Sequence, residues 1–231
     1  MIFQRQWDES CPRVWAQWEA DGRTWAVQDL RPEDDEAAIQ MMVEHWLPDE
    51  PVCSTSGLLE DPESLACFKR AWKETMAQRM SLACYTEVEG KKTLVGLNVC
   101  LVLEKGEQPD LKIEGRAALN AFGVLKYLES KSDPFEQLGL DKALEAFGLV
   151  VAREYRGSRL GGRILAAREP LCRSQGIKGT ATMFTGPASQ KLATNCGFTT
   201  ISEATWSELA DAGLNFPKED RIVKLMIKKY D

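Results

Sequence analysis

Residues 14–30, VWAQWEADGRTWAVQDL, read as two short strands with alternating faces on either side of Ala20-Asp21-Gly22. A period of two around an Asp-Gly turn predicts a β-hairpin. The period then lengthens. In 32–46, PEDDEAAIQMMVEHW, the residues Ile39, Met42, Val43 and Trp46 fall on one face at helical spacing. Pro32 and the acidic run Glu33–Glu36 fill the first turn, where a fixed φ and the helix dipole favour them. Pro48 ends this helix, and a second is predicted over 62–78. Segments 81–88 and 93–104 return to strand character and pair around Glu89-Gly90-Lys91-Lys92. The polar stretch 105–117 reads as a loop and 118–130 as a helix. A strand over 143–151 then gives way to a glycine-bearing loop and a helix running to about 175. Further on come a short strand (179–185), a short helix (187–195) and a closing strand (221–230). Cys196-Gly197-Phe198 stops the short helix, with Gly197 suited to left-handed φ.

Hairpin strands followed by strand–helix–strand–helix–strand predict a mixed α/β or α+β fold on one central sheet. In such sheets ligands gather at the C-terminal ends of strands, where neighbours splay or reverse order. With no repeat or low-complexity linker, a single domain over 1–231 is expected, its first twelve residues forming a flexible arm.

Composition narrows the function. Hydrophobic residues make up 44% of the 231, enough for a packed core. No apolar run reaches the ~18 residues of a membrane span, and the start MIFQRQWDES lacks the apolar core of a secretory leader. A soluble, cytoplasmic protein is expected, a monomer with no membrane partner. Seven cysteines without a CxxC spacing speak against a zinc site or disulfide framework. The lone histidine, His45, rules out a multi-histidine metal site. A net charge of −6 gives no reason to expect nucleic acid as a partner.

Candidate chemistry concentrates in LVVAREYRGSRLGG (149–162). A strand that breaks into a glycine-bearing loop and then a helix leaves backbone N–H groups pointing at one place. Orphan amides and the helix dipole together suit an anion there, such as a pyrophosphate. The loop matches neither the P-loop nor the Rossmann pattern.

YRGSRLGGRIL (155–165) after an apolar strand resembles motif A of the GNAT superfamily of N-acetyltransferases, [QR]-x-x-G-x-[GA]. The strand, short helix and NCGF (195–198) resemble that family's next motif. PEDDEAAIQMM followed by PDEPV (48–52) is similar to the insect arylalkylamine N-acetyltransferase branch. The resemblance spans roughly 25–231. It implies a mixed, mostly antiparallel sheet with splayed strands flanked by helices, and acetyl-CoA as cofactor. It implies that Leu149, Val150, Val151, Arg156, Gly157, Ser158, Arg159, Gly161 and Gly162 contact that cofactor. One departure stands out: Arg159 occupies the central glycine position of the motif. A left-handed φ there makes arginine costly, whereas a helical φ makes it tolerable.

The resemblance also implies that Glu50 is a general base. Amine acetylation needs a neutral nitrogen, so a proton must be removed; a plain sequence reading of Glu50 is a solvated loop acid. Ser189 matches the family's serine at the short helix, placed to contact cofactor and protonate a leaving thiolate, or simply to cap the helix. Trp46 and Thr185 are expected in the amine pocket. His45 stands as a second candidate base or a structural residue. The expected reaction is direct acetyl transfer to a small primary amine of the arylalkylamine type. The alternatives are a polyamine- or agmatine-type substrate, a protein substrate, or a non-catalytic acyl-CoA-binding module.

Overall fold

Eight strands form one sheet in the order β1-β2-β3-β4-β5-β6-β8-β7, in a computed structural model that describes residues 3–107 and 111–230. The strands are β1 (Val14–Ala20), β2 (Arg23–Asp29), β3 (Leu82–Val88), β4 (Lys91–Glu104), β5 (Lys142–Val151), β6 (Gly179–Phe184), β7 (Thr199–Thr205) and β8 (Ile222–Lys229). Neighbours are antiparallel except β5 and β6, which run parallel. This is the one central sheet the element order predicts, with the mostly antiparallel pairing the family resemblance implies.

The two early hairpins turn as their residues require. Asp21 and Gly22 have φ of 53° and 70°, and Glu89 and Gly90 have 51° and 74°. Two successive positive φ values give the turn whose twist matches paired strands. Along β3 the side chains then alternate between two cores. Ala83 and Tyr85 pack with α1 (Asp35–Met41), α3 (Pro62–Ala77) and α4 (Arg116–Lys131) on one face. Leu82 and Cys84 pack with α6 (Leu160–Ala166) and α7 (Arg168–Ser174) on the other. Period-two strands between two helical layers explain why β3 and β4 read as long apolar runs.

The helix expected over 32–46 is one continuous run whose end, Met42–Trp46, widens into a π-helical turn. Helices α2 (Pro51–Ser56), α5 (Pro134–Leu138), α8 (Pro187–Asn195) and α9 (Trp206–Asp211) complete the set. Of the observed elements, α2, α5 and α9 are absent from the sequence-based prediction, and β7, directly after Phe198, follows only from the family resemblance and not from the residue pattern. The helix expected to run to 175 is divided at Ala167.

The N-terminal arm also differs from expectation over its described part. Arg5 donates to both carboxylate oxygens of Asp29, at 2.7 and 2.9 Å, with both side chains buried. Asp29 accepts in addition from Trp15 Nε1 and the Arg13 amide. A bidentate buried pair tethers the segment to β2; Met1 and Ile2 lie outside the described residues.

Candidate active site

Strand β5 is paired unequally. Against β4 the ladder runs from Glu104↔Lys142 to Gly96↔Val151. Against β6 only Leu144↔Thr180 and Glu145↔Ala181 pair, and beyond them the two strands diverge. The Ala152 amide donates to Val95 O. By the alternation of an antiparallel ladder, Val150 therefore faces β4, while Leu149 and Val151 turn their N–H groups toward the open side. Arg156 Nε donates to Val151 O at 3.0 Å, which fixes the same orientation. Val150, expected among the cofactor contacts, instead has its peptide in the ladder and its side chain in the core.

A bulge lies where β5 leaves β6. Asn98 pairs with Leu149 but Cys100 pairs with Ala146, so Phe147 and Gly148 together oppose the single Val99, one residue extra on β5. Gly148 has φ 109°, and a Cβ there would collide with the end of the Met42 side chain. Only glycine lets the π-helical turn press this closely on β5, and that contact seats Trp46 beside the fork.

Glu50 follows that turn as the N-cap of α2. Its Oε2 accepts from the Cys53 amide, while Oε1 is buried without a hydrogen-bond partner. The residue is 7% exposed, so the solvated-acid reading does not hold. Burial and the adjacent Glu50 carboxylate push the Cys53 thiol well above its ordinary range. Glu50 lines a cavity of about 170 Å³ that also reaches Gly148, Leu149, Thr185 and Ser189. Trp46 and Thr185, the two expected pocket residues, are both in its wall. Phe68, Phe122 and Phe147 complete an aromatic side, with ring centroids 5.1–5.4 Å apart. The sequence pattern does not single out these three; only Phe147, just before the bulge glycine, carries a local signal.

Glu145 shares that wall. Desolvation, with Glu129 adding to it, pushes its carboxyl up to about 8. Ser189 reaches the cavity, but its hydroxyl donates to Gly186 O at 2.9 Å and accepts from the Gly186 amide. Its observed bonds are those of a helix cap. His45 offers a buried, unpartnered Nδ1 but does not line the cavity.

The glycine loop presents the amides the sequence predicts. Those of Gly157, Ser158, Arg159, Leu160, Gly161 and Gly162 donate to no acceptor among the described residues. Arg159 sits at φ 59°, ψ 17°, so the chain keeps the left-handed geometry of the glycine it replaces. That costs roughly 1 kcal/mol. Gly161 and Gly162 lie against Leu192 of α8, where a Cβ would fall 3.4 and 3.3 Å from its methyls, ordinary contact at the first and slightly tight at the second. Arg156, expected to add charge for phosphate, is engaged elsewhere. It donates to Asp49 Oδ2 at 2.7 Å and His45 O at 2.9 Å as well as Val151 O. Arg153 also holds Asp49, and these hydrogen bonds, Arg153's first, lower the Asp49 carboxyl. The two arginines thus clamp the loop to the residue beside Glu50.

No helix among the described residues is long and apolar enough to cross a membrane, and no metal-ligating cluster occurs among them.

No family profile and no curated protein matches the chain. Solved structures do. A mosquito protein, named provisionally as insect arylalkylamine N-acetyltransferase 7 of Aedes aegypti, superposes with TM-score 0.87 at 31% identity. The match covers 99% of this chain and 100% of that one. Arylalkylamine N-acetyltransferase 2 of the same mosquito gives 0.79 at 18% identity, covering 90% and 99%. A Drosophila melanogaster polyamine N-acetyltransferase that forms N-acetylagmatine gives 0.74 at 19%, covering 89% and 99%. The last two share the fold. The first, matched along almost every residue of both proteins, settles the lineage: the chain belongs to the insect arylalkylamine N-acetyltransferase-like branch of the GNAT superfamily.

Proposed function

We propose that this protein acetylates small primary arylalkylamines, such as tyramine, dopamine, tryptamine or serotonin, with acetyl-CoA as donor. The observation that carries this reading is the buried, unpartnered Oε1 of Glu50 in one cavity with the open edge of β5. A carboxylate oxygen with no protein partner can accept a proton from an incoming ammonium, directly or through a water.

The residues present fit the cofactor. The free amides of Gly157–Gly162 suit a diphosphate, and the outward amides of Leu149 and Val151 suit the amide groups of a pantetheine arm. Arg159 keeps the backbone geometry of the motif, which speaks against a degenerate, non-catalytic module. Acetyl-CoA supplies an acyl group already activated as a thioester. The chain's own part is to hold the amine, remove its proton at Glu50 and offer backbone N–H groups at the fork to a developing oxyanion. No covalent enzyme intermediate is required. Trp46, Phe68, Phe122 and Phe147 give the amine's aryl group an aromatic wall.

Glu145 favours a second reading, a substrate with an additional cation such as agmatine or a polyamine. Its half-buried carboxyl carries a desolvation cost that a bound cation would relieve. A thiol-release assay with acetyl-CoA separates the two. Turnover concentrated on phenylethylamine- and indolethylamine-type substrates supports the first reading, and turnover concentrated on agmatine or spermidine supports the second. Tight CoA binding with no turnover on any amine would overturn both.

A further inference from the structure

Arg168, at the start of α7, is 1% exposed, and no carboxylate pairs with it among the described residues. Its partners are neutral. Nε donates to Asn98 Oδ1 at 2.7 Å, and Nη1 donates to the hydroxyls of Thr182 at 2.8 Å and Thr180 at 3.4 Å. A sealed cation without a counter-ion is expensive, and apolar side chains of similar volume commonly serve stability as well or better. Its position therefore calls for a reason other than packing.

The partners lie on the strands either side of β5. Asn98 is on β4. Thr180 is on β6 at the parallel pairing and donates to Leu144 O at 2.7 Å. Thr182 is the first β6 residue beyond that pairing. Asn98 passes the connection on, since its Nδ2 donates to Gly148 O in the β5 bulge at 2.7 Å. One guanidinium is thus tied to the departing arm of β6 and, through one amide side chain, to the bulge where β5 stops pairing. It also lines the cavity that holds Glu50.

We propose that Arg168 is a positioning residue for acetyl-CoA, holding the β5–β6 fork at a fixed opening through Asn98 and Thr182. The proposal rests on the cofactor reading above. Paired strands sit about 4.8 Å apart, and beyond Ala181 nothing in the ladder sets the separation. Arg168 supplies that constraint from the α7 side, and the cofactor edge of β5 stays unpaired.

Two variants leave Arg168 in place and cut one tie each. Thr182→Val removes the acceptor on β6. Asn98→Asp keeps an acceptor for Arg168 but loses the donor to Gly148 O. Thr182→Ser retains the hydroxyl and serves as the conservative control. Calorimetric CoA binding and steady-state kinetics are measured on each, with melting curves alongside. For both Thr182→Val and Asn98→Asp the expected result is a rise of about tenfold in CoA Kd and in KM for acetyl-CoA. That is about the size of one lost hydrogen bond, charge-assisted at Thr182 and neutral at Asn98. KM for the amine should move far less, and Thr182→Ser should keep wild-type values. Lowered melting temperatures with unchanged CoA Kd and KM would make Arg168 a merely structural group and overturn the proposal. Wild-type protein that binds no CoA would overturn the cofactor reading and this proposal with it.

Discussion

The two edges of β5 are made of the same residues and do opposite things. On the β4 side the strand is bonded along almost its whole length. On the β6 side it is bonded at two residues and then released. The closed edge fixes where the bulge, Gly148 and the π-helical turn sit, and so fixes Trp46 and Glu50. The open edge leaves backbone donors without protein partners. The contrast teaches that one strand can be over-determined on one side because the other is left free for a ligand. Unsatisfied main-chain groups in a sheet interior are otherwise rare.

The contrast breaks most severely at the closed edge. Gly148→Val places a branched side chain at φ 109° against Met42. A loss of about 3 kcal/mol or more and of all activity is expected, read by denaturant melts and thiol release. Adjacent prolines sharpen the comparison. Val150→Pro removes a ladder donor and should unfold the protein at much lower denaturant. Val151→Pro removes an outward amide and should melt near wild type, with KM for acetyl-CoA raised about tenfold. Equal destabilisation by the two prolines would mean the edges are not distinct.

A smaller effect concerns Glu145. Its folded pKa of about 8 exceeds the ordinary value of 4.5. The folded state therefore holds more protons between those values, and stability falls as pH rises through the window. Glu145→Gln should flatten that fall, so that relative to wild type its melting temperature gains at pH 8 and not at pH 4.5. Parallel curves would show that this half-buried acid does not titrate in this window. The smallest effect is at Arg159, where Arg159→Gly should relieve the left-handed strain and raise stability by about 0.5 kcal/mol. Denaturant melts of the two proteins check it.

Much of this frame is legible in the sequence, and the gaps have physical causes. The hairpins at Asp21-Gly22 and Glu89-Gly90 and the helix Pro187–Asn195 announce themselves through turn and cap residues. Strand β7, TTISEAT, has one side largely exposed and little apolar content, so its place comes from pairing with β8. Helices α2 and α9 are short, held by Glu50 and Thr205 caps, without a periodic stripe. At the site, Glu50 and the loop amides are readable as types at positions. The engagement of Arg156 by Asp49 and His45 depends on contacts between residues 107 and 111 positions apart. The capping bonds of Ser189 depend on its rotamer. The aromatic wall is assembled from α3, α4 and β5, which no local window joins.

The central claim is that Glu50 accepts the amine's proton opposite the open edge of β5. The most direct measurement is the pH dependence of kcat for wild type and Glu50→Ala with a saturating arylalkylamine and acetyl-CoA. The predicted deficit is about a hundredfold or more at neutral pH and narrows as free amine accumulates at high pH. A deficit of the same size at every pH, or none, would contradict it.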